Sequence, residues 1–300
     1  MKNTPQQLHI PVLLGPVLDL LAPKTGERYL DLTAGFGGHA REVIARVGAA
    51  NLTTLVDRDE FALSHLGDLE EQGARLIHSD FLAAAEKLAE EKAQFDMILL
   101  DLGVSSPQLD RAERGFSFQN DGPLDMRMDR SQDLTAEEIV NHWPAEKLAQ
   151  IIVDYGEEPP RLAEKIARAI GKRRRQEKFK TTGDLAQVIE SVKPRRGKIH
   201  PATQTFQAIR IAVNDELGQL EKVLPILPKL LNDGGRLAII SFHSLEDSAV
   251  KKFLNEQRDA GLEAELTVLT KHPLTENNDN NPRARSAKLR AAAKIKNRKE

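Results

Sequence analysis

The chain has 300 residues, 40% of them hydrophobic and 29% charged, with a formal net charge of −2 and no cysteine. That is enough for one large domain or a domain carrying an insertion, and it excludes disulfides and thiolate metal sites. No apolar run approaches the about 20 residues that cross a bilayer, and Met1 to Leu8 is polar where a signal peptide would be apolar, so a cytoplasmic protein without a membrane partner is expected.

His9-Ile-Pro-Val-Leu-Leu14 leads into a short amphipathic helix, Pro16 to Leu21, closed by Pro23. Tyr29 to Leu32 reads as a strand carrying one acid, Asp31, and Gly35, Gly37 and Gly38 then fall within four positions before a helix-forming run to about Val47. Strand, glycine turn and helix open a nucleotide-type α/β site. Glycine lets the backbone close on a ligand and adopt positive φ, and the helix start aims free N–H groups at the same place. Leu52 to Asp57 is a second strand ending in an acid, and Asp57 lies 19 residues past Gly38, where a carboxylate accepts the ribose hydroxyls of an adenosine ligand.

A helix over Glu60 to Glu71, a strand over Ala74 to Ser79 and the pair Asp80-Phe81 follow, with Phe81 placed to lie against an adenine ring. Helix Leu82 to Lys92 precedes Phe95 to Asp101, an almost wholly apolar run of the kind that forms a central parallel strand covered on both faces. The carboxyl ends of such strands form one ligand-binding rim, which brings together Asp31, Gly35, Gly37, Asp57, Phe81 and Asp101.

After Asp101 the alternation stops. Residues 102–129 are turn-rich and aperiodic, yet their phenylalanines and methionines argue for order, and a long loop inside a compact domain is usually functional. Helices resume at the capping box Thr135-Ala-Glu-Glu138 and continue over Ala145 to Tyr155, Pro159 to Arg175 and Thr182 to Val192. We read 109–200 as a helical insertion for RNA recognition, and 1–108 with 201–300 as the discontinuous α/β domain. Residues 161–198 hold 13 Lys/Arg against 4 Asp/Glu, and residues 271–300 hold 9 against 3, an asymmetry that points to nucleic acid. Helical sequence from Phe206 to Asn214 and from Leu217 to Leu231 returns to the sheet; Asn232-Asp-Gly-Gly235 ends it. Arg236 to Phe242 is a fifth strand, and His243-Ser-Leu-Glu-Asp247 caps a helix reaching Arg258. Glu265 to Thr270 reads as a strand, Thr275 to Pro282 as a polar loop, and Ser286 to Ala293 favours helix on propensity.

Gly35-x-Gly37-x-x-Ala40 also satisfies the dinucleotide pattern, so a nicotinamide-dinucleotide oxidoreductase competes with an S-adenosylmethionine enzyme. Asp31 inside the first strand suits an amino-acid ammonium and no phosphate, Asp80-Phe81 offers an adenine contact after the third strand, and the chain ends on a probable antiparallel pair. These favour S-adenosylmethionine.

His9-Ile-Pro-Val-Leu-Leu, Asp31-Leu-Thr-Ala-Gly-Phe-Gly-Gly-His39, Asp101-Leu-Gly-Val-Ser-Ser-Pro-Gln-Leu-Asp110, Arg114-Gly-Phe-Ser-Phe118, Asp121 to Asp129, Phe206 to Asn214, Ile240 to Asp247 and Asn281-Pro-Arg-Ala-Arg-Ser286 run in order over nearly the whole chain. Together they resemble the bacterial RsmH (MraW) family, S-adenosylmethionine-dependent methyltransferases of N4 of a decoding-centre cytidine in 16S ribosomal RNA. The resemblance implies a Rossmann-like methyltransferase sheet of class α/β, parallel with a C-terminal antiparallel hairpin, so that 286–293 is expected as a strand beside 265–270. It implies cofactor contacts at Gly37, Gly38, His39, Asp57, Phe81, Asp101 and Gln108, to which the residue reading adds Asp31 and Gly35. The small ribosomal subunit becomes the expected partner; the oligomeric state stays open, a homodimer included. For the reaction, Asp101 is the proposed proton acceptor, and His243 faces the same rim by position. Phe116 and Phe118 are proposed to stack on an extruded base, and Arg127 to hold phosphate. The histidines show no metal-ligand spacing, so no metal is expected. A catalytically inactive RNA-binding module is the non-enzymatic alternative.

Overall fold

The computed structural model describes residues 11–195, 197, 199–276 and 282–296. His9, Ile10 and Asn281 of the motifs quoted above, Arg196, and 277–281 of the polar loop lie outside those residues. The chain forms two compact units, one made of the residues up to Gly103 with those from Leu217 onward, the other of Val104–Glu216. The sequence reading drew these boundaries at 108 and 200.

In chain order the first segment contains α1 (Leu14–Leu21), β1 (Tyr29–Asp31), α2 (Gly38–Val47), β2 (Thr53–Asp57), α3 (Glu60–Leu63), α4 (Gly67–Glu71), β3 (Arg75–His78), α5 (Phe81–Glu90) and β4 (Phe95–Asp101). The helical unit contributes α6 (Ser106–Asp110), α7 (Ala136–His142), α8 (Ala145–Asp154), α9 (Pro160–Arg174), α10 (Thr182–Val192) and α11 (Thr203–Asn214). The sheet unit then resumes with α12 (Glu216–Val223), β5 (Leu231–Ser241), α13 (Ser244–Asp259), β6 (Leu266–Val268) and β7 (Lys288–Lys294).

The sheet is ordered β3-β2-β1-β4-β5-β7-β6. Strands β1 to β5 are parallel, and β7 pairs antiparallel with both β5 and β6. This is the α/β methyltransferase-type sheet expected from the sequence. In β4 the side chains alternate between two apolar layers. Ile98 and Leu100 join Leu30, Val56 and Ile239 beneath Leu88 of α5 and Val250 of α13. Met97 and Leu99 join Tyr29, Leu55 and Ile240 beneath Val17 of α1 and Val43 of α2. Each such side chain, fully buried, contributes about 1.5–3 kcal/mol, which is why this strand carries no polar residue between Asp96 and Asp101. From β1 the chain moves outward through β2 and β3, then returns to β4 on the other side of β1. That reversal creates a switch point between β1 and β4 at the carboxyl edge, the place where open α/β sheets bind ligands.

The run Glu60 to Glu71, read as one helix, is broken into α3, a 3-10 turn over Ser64–Leu66 and α4, and three further elements differ from the sequence reading. The helical run written to Leu231 stops at Val223, because Pro225 and Pro228 cannot extend it; a 3-10 turn over Leu227–Leu230 takes its place. The Asn232 to Gly235 segment is then a bulge within β5, whose pairing jumps from Phe95↔Leu231 to Met97↔Arg236. The third difference is α6, inside a stretch read as turns, where the Gln108 side chain accepts the Ser105 N–H at 2.9 Å. The alanine-rich β7 is a strand as the resemblance implied: flanked by β5 and β6, its burial between two ladders outweighs helix propensity.

The helical unit has its own core, with Ile139, Leu148, Ile152, Ile166, Phe179, Leu185 and Ile209 all inaccessible. Its aperiodic loop is held by one buried amide. Asn214 Oδ1 accepts the Met128 N–H at 2.9 Å, and its Nδ2 donates to the carbonyls of Met126 at 2.8 Å and Arg210 at 2.9 Å. Gly115 turns the loop with φ +70°, and a Cβ there would sit 2.0 Å from the Pro123 carbonyl oxygen. Asn214→Ala removes the partner of the Met128 N–H and of the Met126 carbonyl, so it is expected to lower stability by about 2–4 kcal/mol and to open residues 115–129 to proteolysis. A melting temperature and digestion rate matching the parent would contradict the role assigned to this amide.

Candidate active site

The parallel strands deliver their last residues to one edge. Backbone bonds knit the turns there: Leu32 N–H to the Leu99 carbonyl at 3.0 Å, Ala34 N–H to Val56 at 2.8 Å, Leu102 N–H to Ile240 at 3.0 Å. The glycine turn is tied to the end of β2, since Gly35 N–H donates to Asp57 Oδ2 at 2.7 Å while Asp59 N–H donates to Oδ1 at 2.8 Å. Each Asp57 oxygen thus keeps a lone pair for a further donor. Gly35 has φ +52°, and a Cβ built on it meets only the Thr33 carbonyl oxygen, at 3.9 Å. Gly37 has φ +77°, the left-handed conformation that favours glycine at the start of α2, and a Cβ on it would press on the Leu66 side chain, 2.7 Å from Cδ2.

Between β1 and β4 lies a buried polar cluster. Asp31, 1% exposed, accepts the Tyr29 hydroxyl at 2.9 Å and the Thr33 N–H at 3.1 Å. Thr33 Oγ1 in turn accepts the Asp101 N–H at 2.6 Å. His39, in the first turn of α2, brings Nε2 to 3.6 Å from Asp101 Oδ2, an ion-pair distance beyond hydrogen-bond range. Both ring nitrogens of His39 and Oδ1 of Asp101 are buried without a hydrogen-bond partner. Burial raises the Asp31 carboxyl to about 6, against the pull of His39, the Thr33 N–H and the Tyr29 hydroxyl, while Asp101 pushes the same way as burial. For His39 burial favours the neutral ring, but Asp101 and Asp31 outweigh it and the pKa rises. Burial also raises Asp57, opposed by the N–H groups of Asp59 and Gly35.

Phe81 opens α5 with its ring partly buried against the sheet core. Asp80 is that helix's N-cap, accepting the Ala83 N–H at 2.9 Å, which accounts for its acid without a ligand. His243 is likewise an N-cap: its Nδ1 accepts the Glu246 N–H at 3.4 Å, and Glu246 Oε2 accepts the Phe242 N–H at 2.7 Å.

A family model described as the MraW methylase family matches residues 6–295. The chain belongs to that family. A ribosomal RNA small subunit methyltransferase H from Synechocystis sp. is 47% identical over 297 residues, covering 96% of this chain and 93% of that protein. A protein of the same name from Acidobacterium capsulatum is 46% identical over 303 residues, covering 96% and 99%. Among solved structures, a putative rRNA-methylase from Clostridium thermocellum aligns over 96% of this chain and 100% of its own, at 13% identity and a TM-score of 0.45. Membership in the MraW methylase family displaces the nicotinamide-dinucleotide reading of the glycine pattern.

Among the residues named from sequence, the sheet unit of this MraW-family chain brings Asp31, Gly35, Gly37, Gly38, His39, Asp57, Phe81, Asp101 and His243 to one edge. Asp31 lies beneath that edge, sealed by its neighbours, so its carboxylate reaches a ligand's ammonium only through other groups. Gln108, Phe116, Phe118 and Arg127 belong to the helical unit. Gln108 is buried as the α6 cap partner. Phe116 is 6% exposed in the helical core. Phe118 stacks on His200, ring centroids 4.3 Å apart, and meets Phe206 edge-on at 4.9 Å. Arg127 is a loop clamp: it donates to Asp125 through Nε at 2.7 Å and Nη2 at 3.1 Å, and through Nη1 to the carbonyls of Arg130 and Gln132. With four of five N–H groups so used, the phosphate role assigned to Arg127 from sequence gives way to an internal one. Sequence reading missed Tyr29 and Thr33. Tyr29 was detectable, being two residues before Asp31 and therefore on the same strand face.

Because the folded pKa of Asp31 lies above its unfolded 3.8, its contribution favours folding below pH 4 and is lost as pH rises through about 6, a penalty of about 3 kcal/mol at pH 8. Asp31→Asn removes that ionisation. Urea unfolding should therefore show the variant gaining stability relative to the parent on going from pH 4 to pH 8; a pH-independent difference would refute the assignment.

Proposed function

We propose that this protein methylates N4 of a decoding-centre cytidine in the 16S RNA of the small ribosomal subunit. The observation that carries the reading is one edge of a MraW-family sheet that holds both a glycine turn tied to Asp57 and the Asp101 carboxylate at the end of β4, beside His39. The methyl donor is S-adenosylmethionine, and the residues suit it. Asp57 has lone pairs for two ribose hydroxyls, the half-buried Phe81 ring suits an adenine face, and Gly35 lets a ligand approach the backbone.

When bound, the cofactor supplies an electrophilic methyl group on a sulfonium sulfur. The N4 lone pair of cytosine is delocalised into its ring, so the protein must hold the amine close and in line and take its proton as the C–N bond forms. The Asp101 carboxylate is the proton acceptor in this reading. Reaching a base buried in RNA structure requires that it leave its stack. The relatives' names specify the small-subunit RNA, and the basic excess of 161–198 supports it. Within that stretch Arg174 is spent on the carbonyls of Val140 and Trp143. Lys172, Arg175 and Lys180 are exposed and are the phosphate contacts we favour over Arg127.

The test is transfer of labelled methyl to small subunits from a strain lacking the gene, followed by nucleoside analysis for N4-methylcytidine. Asp101→Ala should cut turnover by about 10²–10⁴-fold with cofactor affinity, by calorimetry, largely kept. Asp57→Ala should do the reverse, weakening cofactor binding roughly tenfold or more. Label on another atom or base would overturn the N4 assignment, parallel loss of affinity in Asp101→Ala would remove its acceptor role, and cofactor binding without transfer to any RNA would favour a binding module.

A further inference from the structure

We propose that His39 is the positioning residue of this site: its imidazolium, 3.6 Å from Asp101 Oδ2, fixes the carboxylate that meets the reacting amine, and Asp31 with Tyr29 forms the fixed support behind the ring. The proposal rests on the methyltransferase reading and extends it to the residue that orients the proton acceptor.

The geometry separates the two oxygens of Asp101. Oδ2 has a ring nitrogen 3.6 Å away, whereas Oδ1 is buried with no partner. His39 is 6% exposed and neither ring nitrogen makes a hydrogen bond. A buried neutral ring with two idle nitrogens would lose its hydration and receive nothing in return. As an imidazolium it sits between two carboxylates, Asp31 at the end of β1 and Asp101 at the end of β4. These are the charged groups that act on it, and the Val12 backbone in the segment before α1 acts in the same direction. Asp31 is itself pinned by the Tyr29 hydroxyl and the Thr33 N–H. Tyr29 is wholly buried, so the support is rigid.

The charges also balance. With His39 protonated, two carboxylates and one imidazolium leave the cluster at −1, complementary to a cofactor that carries a sulfonium, an ammonium and a carboxylate. In the step itself the N4–H bond breaks and an O–H bond forms on the Asp101 carboxylate, while the methyl carbon exchanges its bond to sulfur for one to nitrogen. The proton then leaves to water from Asp101, whose side chain is 25% exposed, and His39 keeps its own proton throughout. This is why His39 is a positioning residue and not a second base.

The experiment follows the His39 ring by NMR across pH 5 to 9 in the parent and in Asp101→Asn and Asp31→Asn, and records pH–rate profiles for His39→Gln and His39→Leu. The expected result is an imidazolium in the parent that titrates at lower pH in both aspartate variants. Rates should show an alkaline limb in the parent that is lost in His39→Gln, with kcat down roughly 10- to 100-fold. His39→Gln, which still offers an N–H, should retain more activity than His39→Leu. A ring that titrates identically in the parent and in Asp101→Asn, or an alkaline limb that persists in His39→Gln, would overturn the proposal. The titrations need no turnover and no folded His39 variant, so they decide it even if the parent transferred methyl to no RNA, an outcome that would sink the functional reading alone.

Discussion

The structure depends first on the pairing of β1 with β4. Asp31 stands opposite Leu99 in that ladder, and alternation along a strand puts Leu99 and Asp101 on the same face, so both acids are directed to the side covered by α2. Neither strand has freedom to shift. A slip of one residue would carry Met97, Leu99 and Asp101 together to the opposite face and bring Asp96 into the apolar layer they leave. The hydrophobic register therefore sets the spacing of two carboxylates, and packing of the core becomes geometry of the site.

That constraint has an electrostatic cost, which the local structure offsets. Two carboxylates under one helix start would repel in a buried setting. The chain answers with the Tyr29 hydroxyl, the Thr33 N–H and the His39 ring, drawn from β1, the turn after it, and α2. The same economy appears at the other strand ends, where Asp57 is bound by the N–H groups of Gly35 and Asp59, and where Asp80 and His243 are consumed in capping helices. Acids at the ends of parallel strands thus divide into two kinds. Some satisfy the helix that follows; others, Asp57 and Asp101, keep acceptor capacity in hand.

The helical unit is organised on a different principle. Its loop over residues 115–129 has little regular structure, so its backbone groups need individual partners, and Asn214, Arg114 and Arg127 provide them. Arg114 donates to the carbonyls of Arg127 and Met128. Charged and amide side chains that look like ligand-binding groups in sequence are here the substitute for a ladder. Arg127 shows this: a cation flanked by Met126 and Met128 has the same sequence signature whether it binds a phosphate or, as here, donates to four loop acceptors.

Much of the site was legible because its signals are local. The glycine triplet, the acid 19 residues later, the apolar run of β4 and the capping box at Thr135 each follow from neighbours in the chain. The resemblance to known sequences added Gln108 and the strand assignment of 286–293, which propensity alone gave to helix. What could not be read locally was any role set by a partner far along the chain. Asp31 was expected to meet a ligand and is sealed instead. Pro225 and Pro228 stood in plain view, and overlooking them lengthened a helix that they end.

By itself, then, the sequence determined the α/β class, the order of strands and helices, and which residue types terminate each strand, because periodicity, glycine and proline act over a few residues. Only the tertiary structure decided which of those terminal groups remain free to act. Whether a carboxylate or guanidinium has a spare lone pair or N–H depends on donors and acceptors brought to it from other strands, and sequence spacing carries no record of that.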